Sequence, residues 1–328
     1  MSKTEFVAKP ETLALLRESG NPINGLGEAG VRRPSPFFWH PPDKHPFGDL
    51  QAESRNYSRK CPGAAEMFKA AYQHPGLVPL ESPPKAGTAA EFDSAMREFA
   101  LANQSDMVGV TAMNPLWVFE GYEISDPWVI VLGFAHRYDD IVQLPSDEHN
   151  GVGVTDIGRQ YARGTQASYT LANWIRSQGY NARAFPGPSA DALLLIPPAI
   201  EAGFGELGKH GSLISRKYGS GFRLAGVTTD MPLLSDARDL FGADDFCLNC
   251  RVCSNACPPE AIGDEKQMVR GENRWYVDFD KCIPYFVEAS SCGICIAVCP
   301  WTRPAVRPNL LTKMAKRRAD KSGESDAV

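Results

Sequence analysis

The stretch that decides the fold of the C-terminal part of the chain is Cys247-Leu-Asn-Cys250-Arg-Val-Cys253-Ser-Asn-Ala-Cys257, followed by Pro258. Of the nine cysteines, only Cys61 lies outside residues 247–299. A secreted disulfide scaffold would be small and rich in cysteine throughout. A cassette of thiols near the end of a long, otherwise cysteine-poor chain instead indicates a metal site.

The second half of the cassette reads Cys292-Gly-Ile-Cys295-Ile-Ala-Val-Cys299-Pro300, with Cys282 ahead of it. A C-x2-C-x2-C-x3-C-P run is the spacing of bacterial ferredoxins, in which three thiolates hold one 4Fe-4S cluster and the fourth reaches the other cluster. Zinc fits poorly, because structural zinc favours paired knuckles and needs no Cys-Pro crossover. The rule predicts two ligand sets: Cys247, Cys250, Cys253 and Cys299; and Cys257, Cys282, Cys292 and Cys295.

The composition predicts a folded protein with a large core. The chain has 328 residues, 43% hydrophobic and 22% charged, which excludes a disordered or fibrous protein. Its 34 basic and 39 acidic residues give a net charge of −5, so the whole chain offers no attraction for nucleic acid or an anionic membrane. Two clusters form an electron wire. We therefore expect the upstream residues to hold the destination of the electrons, and Cys61 to be a small buried side chain.

We expect four segments along the chain. Residues 1–88 are rich in Pro and Gly and predict a loop-rich arm, with one helix near Ala64 to Gln73. Residues 89–240, with parts of the C-terminal segment, alternate helical and strand patterns and predict an α/β (α+β) domain. Residues 241–305 form a ferredoxin-type domain. Residues 306–328 form a basic tail, either a solvated helix face or a dock for an acidic electron donor.

Periodicity and breakers predict the individual elements of the second segment. Helices are expected over 90–103, from Thr155-Asp156 to Gly179, and after Pro188; strands are expected over 107–113, 128–134, 182–185 and 221–229.

No targeting or dinucleotide motif is convincing near the N-terminus. Residues 1–24 lack an apolar signal core, and the pair Arg32-Arg33 is followed by prolines rather than by an export signal. Apolar runs are far shorter than the roughly 20 residues of a membrane span. Gly25-Leu-Gly27-Glu-Ala-Gly30 satisfies G-x-G-x-x-G but follows no strand. We expect a soluble, cytoplasmic protein without a membrane partner.

Three stretches resemble the reductive dehalogenases, whose cobalamin-plus-two-clusters plan is shared by epoxyqueuosine reductases. The resemblance covers roughly residues 90–305. The stretches are Gly205-Glu-Leu-Gly-Lys-His-Gly-Ser-Leu-Ile-Ser-Arg-Lys-Tyr-Gly219, Phe222-Arg-Leu-Ala-Gly-Val-Thr-Thr-Asp-Met-Pro-Leu233, and Trp275-Tyr-Val-Asp278 leading into the second cysteine run.

The resemblance implies a nitroreductase-like domain that holds a base-off cobalamin, reduced through the nearer cluster. It implies cleavage of a carbon–halogen bond with two electrons and one proton, the cofactor carrying the hard chemistry. Asp147-Glu-His149-Asn-Gly151-Val152 comes close to a cobalt-ligand motif, but we interpret His149 as a loop residue. The cobalamin contacts that the resemblance implies are Gly208, Lys209, His210, Gly211, Leu224, Thr229 and Asp230.

The resemblance also implies a tyrosine proton donor on the helix that leads to Ile175-Arg-Ser-Gln-Gly-Tyr180. The matching position is Tyr161, and its basic partner is Arg223. A guanidinium beside a phenol favours the phenolate, which makes the phenol a better acid. Tyr161 as a plain core residue remains an alternative, and Tyr169 is the second candidate donor.

Three functions therefore stay open. The first is a dehalogenase acting on an organohalide, with Phe37, Phe38 and Trp39 suited to a haloaromatic ring, and fed by an external ferredoxin, flavodoxin or reductase. The second is an epoxyqueuosine-type reductase acting on tRNA, which expects an acid where this chain has Thr165-Gln-Ala-Ser168, and a C-terminal region longer than the one after Trp301. The third is a non-catalytic electron carrier or corrinoid-handling protein.

Overall fold

The computed structural model describes residues 6–187 and 192–325. Its N-terminal segment contains α1 (Pro10–Leu15), α2 (Gly20–Ile23), a 3₁₀ turn (Pro42–Lys44), α3 (Gly48–Lys60) and α4 (Ala64–Ala71). The central part contains α5 (Ala89–Ala102), β1 (Met107–Ala112), a 3₁₀ turn (Pro115–Trp117), β2 (Trp128–Ala135), α6 (Tyr138–Ile141), α7 (Val152–Ser177), β3 (Ala182–Phe185), α8 (Ile196–Glu201), β4 (Glu206–Leu207), β5 (Leu213–Ile214) and β6 (Phe222–Thr229). The C-terminal part contains α9 (Ala243–Asn249), α10 (Val252–Ala256), β7 (Gln267–Val269), β8 (Glu272–Arg274), α11 (Phe279–Glu288), α12 (Ile294–Ala297) and α13 (Arg307–Ser325).

A four-stranded sheet with the order β1-β2-β6-β3 organises the central part, and each pair of neighbours is antiparallel. Strand β2 is apolar on both faces, and its residues from Val129 to Phe134 are all buried. A strand of this kind needs cover on both sides of the sheet. The predicted mixed α/β fold is confirmed, and all four strands predicted for this region form.

Each face of the sheet has its own core. Helices α5 and α7 cover one face, and α8 with the β4–β5 hairpin lies on the side of the other. The first core includes Met96, Ile130, Leu132, Phe134, Leu171, Ile175 and Val227. The second core includes Val129, Val131, Phe204, Leu213 and Phe222. The helix expected after Pro188 is observed only from Ile196, and residues 188–191 lie outside the described residues.

Helix α7 begins earlier than predicted. Gly151 is its N-cap, and Thr155 and Asp156 lie inside its first turns. The hydroxyl of Thr155 donates to the carbonyl oxygen of Pro62 at 3.0 Å, so this side chain is used for tertiary packing and not for capping. The predicted stop at Gly179 is confirmed, because the helix ends at Ser177 and Gly179 has a φ of +90°.

The N-terminal segment is more helical than its composition predicts. Helix α4 agrees with the predicted helix, but the 13-residue helix α3 was not predicted. Its sequence is largely polar, and three of its four buried residues are Gln51, Ser54 and Ser58. Without an apolar stripe, periodicity had no signal to detect.

Of the pair Arg32-Arg33, Arg33 fastens this segment to the body, and Arg32 bonds within the segment. Arg33 donates to the carbonyl oxygens of Val118, Phe119 and Tyr122, and Arg32 bonds Glu28 at 2.7 Å. The Gly25–Gly30 stretch pairs with the β7–β8 hairpin through a Leu26–Val269 bridge, which is no setting for a dinucleotide motif.

The basic tail forms α13, which packs on the C-terminal part through Met314, 1% exposed, beside Phe241. Its Lys313 and Lys316 are exposed. Across the described residues, no helix has both the length and the apolar character needed to cross a membrane.

We predict that two glycines of α7 respond oppositely to alanine. A Cβ at Gly158 would lie 2.8 Å from the Met67 Cβ, whereas a Cβ at Gly164 would meet Ala225 and Phe134 at an ordinary 3.4 Å. Alanine gains about 1 kcal/mol of helix propensity over glycine, and overpacking costs about 1–3 kcal/mol. Gly158→Ala should therefore lower the unfolding temperature of the holoprotein, and Gly164→Ala should raise it. Shifts of the same sign in both variants would contradict this account of the α4–α7 contact.

Candidate functional site

The eight cysteines of the cassette gather into two groups. We call Cys247, Cys250, Cys253 and Cys299 the first cysteine group, and Cys257, Cys282, Cys292 and Cys295 the second cysteine group. Within each group, every one of the six pairs lies close enough for the two thiolates to repel each other. The structure thus brings together the same two sets that the spacing rule predicts, with one cysteine of each run crossing to the other.

The thiols of both groups resist ionisation in the bare protein. Burial, and after it repulsion between the sulfurs, raises the pKa of Cys247, Cys253 and Cys282 to about 12. Burial likewise raises the pKa of Cys292 to about 11. Thiolates that repel one another in a buried site need a cation among them, and a bound metal deprotonates its thiol ligands. The donor set therefore fits an iron–sulfur core in each group.

Backbone donors surround the first cysteine group. The N–H of Lys209 bonds the sulfur of Cys247, and the N–H groups of Trp301 and Thr302 bond that of Cys299. Hydrogen bonds to the sulfurs are one of the means by which a protein sets a cluster's reduction potential.

Two of the residues predicted to contact cobalamin lie at the first cysteine group. Lys209 is 1% exposed, its Nζ lies 5.1 Å from the centre of the Trp275 ring, and it pairs with Asp264 at 3.4 Å. His210 is also buried and lies 3.1 Å from the Ser220 hydroxyl, and burial lowers its pKa to about 4. Both side chains line the small cavity of the first group. The structure thus places these two side chains beside the first cysteine group, and their contact with cobalamin stays a prediction.

A much larger cavity, of about 760 Å³, lies where the N-terminal segment, α7 and the cassette meet. Its wall is mostly apolar and aromatic. Its lining includes Trp39, Ser54, Arg55, Ser58, Arg59, Phe68, Lys69, Tyr72, Ile157, Tyr161, Gly187, Ser212, Arg223, Ile262, Val277, Tyr285 and Phe286. A cavity of this size and character is typical of a cofactor or substrate site.

All four members of the second cysteine group line this cavity. The first group lies behind it, and the two groups approach each other at Cys253 and Cys295. The arrangement orders the three features in space: first cysteine group, second cysteine group, cavity.

Tyr161 and Arg223 meet at the wall of the same cavity. The guanidinium carbon of Arg223 lies 5.2 Å from the centre of the Tyr161 ring. Tyr161 is half-buried, whereas Ser168, Leu171 and Ile175 further along α7 are buried in the core. The alternative that Tyr161 is simply a core residue is therefore not supported by its position. The Nε of Arg223 is buried without a hydrogen-bond partner among the described residues.

The remaining predicted contacts lie elsewhere. Leu224 lines an adjoining cavity of about 250 Å³, together with Tyr161 and Arg223. The hydroxyl of Thr229 donates to Asn181 O, and the Asp230 carboxylate accepts from Asn181 N–H. These two side chains hold the end of the sheet through Asn181, and their contact with cobalamin stays a prediction.

Three further interpretations can be compared with the structure. Tyr169 stacks on His74 with ring centres 4.0 Å apart, away from Tyr161's cavity wall. His149 is exposed in a loop, as interpreted. Cys61 is buried beside Ala64 and Val154, as expected.

Sequence analysis missed one buried pair behind the site. His136 Nδ1 lies 2.6 Å from Asp156 Oδ2, and both side chains are almost fully buried. Burial, and then the nearby charge of Arg223, lowers the pKa of His136 against the opposing effect of Asp156. A neutral imidazole therefore donates to the carboxylate. The pair belongs to no motif, because its members come from the end of β2 and from α7.

Comparison with known proteins begins with the cassette. Residues 246–302 match the 4Fe-4S dicluster domain family. This match confirms the prediction of two clusters over zinc.

The chain also has relatives over longer stretches than the cassette. The tetrachloroethene reductive dehalogenase of Desulfitobacterium hafniense is 32% identical over 188 residues, covering 53% of this chain and 33% of the relative. A solved structure of the catabolic reductive dehalogenase NpRdhA in complex with 3-bromo-4-hydroxybenzoic acid is 25% identical, with a TM-score of 0.66 over 87% of this chain and 42% of that one. Over about half of its length, the chain is similar to reductive dehalogenases. It spans about a third of the length of the curated relatives that it matches.

The relation to epoxyqueuosine reductases is also present. The epoxyqueuosine reductase of Leadbetterella byssophila is 34% identical to this chain over 120 residues, which cover 31% of this chain and 35% of the relative. Another solved reductive dehalogenase, with the same TM-score of 0.66, is described as suggesting a mechanism for B12-dependent dehalogenation. The family match confirms the predicted clusters, and the B12 named for that solved relative agrees with the cobalamin expected from the sequence.

Paired cysteine substitutions in this chain test whether one cysteine of each run binds the cluster of the other run. Cys257→Ser with Cys292→Ser removes two ligands of one group, so about half of the iron should remain. Cys253→Ser with Cys257→Ser removes one ligand from each group, so nearly all the iron should be lost. Iron and sulfide content after anaerobic reconstitution measures both, with Cys61→Ser as the control that keeps full content. The reverse order for the two double variants would mean that each run holds its own cluster.

Proposed function

We propose that the chain is a corrinoid-dependent reductive dehalogenase. The reaction would be R–X + 2e⁻ + H⁺ → R–H + X⁻, in which the carbon–halogen bond breaks, the carbon is reduced and the halide leaves. Electrons would enter at the first cysteine group, pass to the second and reach the cavity.

One observation carries this proposal: the second cysteine group and the Tyr161–Arg223 pair line the same cavity. One wall can thus deliver electrons and another a proton to whatever the cavity holds. A simple electron carrier needs neither a 760 Å³ cavity nor a phenol and a guanidinium on its wall. The arrangement is that of a reaction chamber at the end of an electron path.

The cavity suits a large planar cofactor beside the second cysteine group. Its apolar residues, among them Ile157, Ile262, Val277 and Phe286, would pack against the macrocycle. The unpaired Nε of Arg223 would gain an acceptor from a bound molecule, since an unsatisfied buried donor costs about 1–3 kcal/mol. When bound, the corrinoid supplies the reduced cobalt chemistry, and the clusters supply single electrons.

The proton would come from the Tyr161 hydroxyl. The adjacent Arg223 stabilises the phenolate that remains after transfer, and the phenol is then reprotonated from solvent through the open side of the cavity. Behind this pair, His136 and Asp156 fix the end of β2 next to Arg223.

A haloaromatic substrate fits the aromatic part of the wall. Trp39, Phe68, Tyr72, Tyr285 and Phe286 offer ring faces and edges. NpRdhA, with which the chain shares its fold, is described with a bromohydroxybenzoic acid. The electrons would come from an external ferredoxin, flavodoxin or reductase.

The tRNA-modifying alternative is less well supported. The positions at which it expects an acid group are occupied by residues that hold α7 to its neighbours. Thr165 donates to Ala71 O at 2.6 Å, and Ser168 donates to Thr165 O at 3.1 Å; both are buried. No carboxylate stands there to donate a proton.

The proposal is tested by replacing the proton donor. In protein reconstituted anaerobically with iron, sulfide and cobalamin, Tyr161→Phe should lower halide release from a halophenol panel by about 100-fold or more. Bound cobalt, measured by its optical spectrum, should be unchanged. Tyr169→Phe is the matched comparison and should stay active, because that ring stacks on His74.

One result would overturn the assigned proton donor, and another would overturn the proposed reaction. Full activity of Tyr161→Phe together with loss in Tyr169→Phe would move the proton donor to the second tyrosine. Eight irons without any bound cobalt would favour the electron carrier.

A further inference from the structure

The wall of the large cavity that α3 and α4 provide is cationic. Arg55, Arg59 and Lys69 line it, and Arg223 lines another part. No aspartate or glutamate occurs among the described residues that line the cavity. The whole chain has a net charge of −5, so the positive charge of this lining is a local feature.

These three cations are not used to hold the protein together. Among the described residues, no ion pair or hydrogen bond is formed by the side chains of Arg55, Arg59 or Lys69. Other arginines of the N-terminal segment do have partners: Arg17 pairs with Asp49 at 3.0 Å, and Arg33 pairs with Glu123 at 3.1 Å. Arg55 and Arg59 thus differ from Arg17 and Arg33, whose charges are paired.

A buried hydroxyl at the same wall is also without a partner. Ser54 is 1% exposed, lines the cavity, and its Oγ has no hydrogen bond within the described residues. Ser58 lies one turn further along α3 and lines the cavity as well. Arg55 follows Ser54 directly and is half-buried, whereas Arg59 and Lys69 are exposed at the mouth. Buried polar groups are normally hydrogen-bonded, so an unsatisfied hydroxyl in the lining of a cationic cavity points to an acceptor supplied by a ligand.

We propose that Ser54, Arg55, Ser58, Arg59 and Lys69 form a subsite for the anionic group of the substrate. This inference rests on the proposed function and narrows it: the organohalide carries a carboxylate or a phenolate. Arg55 binds the anion with two N–H donors, the geometry in which guanidinium and carboxylate pair best. Ser54 adds a third donor. Arg59 and Lys69 raise the local concentration of anions at the mouth.

The phosphodiester in the tail of cobalamin is a second source of the same chemistry. It is an oxyanion, and it enters the same cavity under the proposed function. A test must therefore measure the organic anion and the corrinoid separately.

The first measurement is a calorimetric titration of small probe molecules into the holoprotein. The probes are halogen-free aromatic and short-chain carboxylates, each paired with its neutral amide, for example 4-hydroxybenzoate with 4-hydroxybenzamide. We expect at least one carboxylate to bind about tenfold or more tightly than its amide, with a preference that falls as salt screens the charges. Arg55→Gln and the double variant Arg59→Gln/Lys69→Gln should each reduce the preference. Lys60→Gln is the matched control, because Lys60 belongs to the same helix but lies over the Tyr57 ring.

Corrinoid uptake makes the second measurement. Cobalamin and cobinamide, which lacks the tail phosphate, are each titrated into the variants and followed by their optical spectra. We expect Arg55→Gln to bind both corrinoids like the unmodified protein. Weaker binding of cobalamin alone, with the carboxylate preference intact, would assign the wall to the corrinoid tail and overturn the inference.

The inference and the proposed function can fail separately. Dehalogenation of neutral organohalides without a carboxylate preference in any probe pair would leave the proposed function standing and remove the anionic subsite. A charge-dependent preference lost in Arg55→Gln, without dehalogenation of any organohalide, would keep the subsite and remove the proposed reaction.

Discussion

The exchange of one cysteine between the two runs is the constraint on which the rest of this molecule depends. Because Cys299 joins the first group and Cys257 joins the second, two stretches separated by α11 must lie side by side. This crossing turns one face of the cassette toward the sheet domain, where the second group closes the large cavity. Burial of the sulfurs is unfavourable without a metal core, so metal binding and folding of this part are linked.

The sequence predicted the parts of the molecule whose physics is local. Ligand spacing along the chain indicates which cysteines share a cluster, and the apolar run of β2 indicates a strand covered on both faces. It did not predict α3, because the buried side chains of that helix include the polar Gln51, Ser54 and Ser58 and so form no apolar stripe. The sequence also did not predict the direction in which the side chains of the Gly208–Gly211 turn point. The turn is short enough to face either cysteine group, and only the fold directs Lys209 to the first cysteine group.

The candidate site combines elements of very different character. The wall formed by the second cysteine group follows a strict spacing rule, and the pair proposed to donate the proton is held by a long helix and a central strand. The third wall comes from polar helices near the N-terminus, fastened by Arg33 to three carbonyl oxygens of the body. The cassette, α7 and the sheet thus carry the residues for electron and proton transfer, whereas the N-terminal helices that complete the ligand cavity pack onto them.

This attachment has an evolutionary consequence. Residues 48–72 contribute to the wall of the chamber, yet they supply none of the cysteines of the cassette and no strand of the sheet. Mutations that change the side chains of this wall leave the cysteine ligands unchanged. Selection can therefore alter which ligands the cavity binds by substitutions in one helix at a time. Proteins with the same cysteine cassette can therefore differ in the ligands that they bind while they keep the same arrangement of clusters.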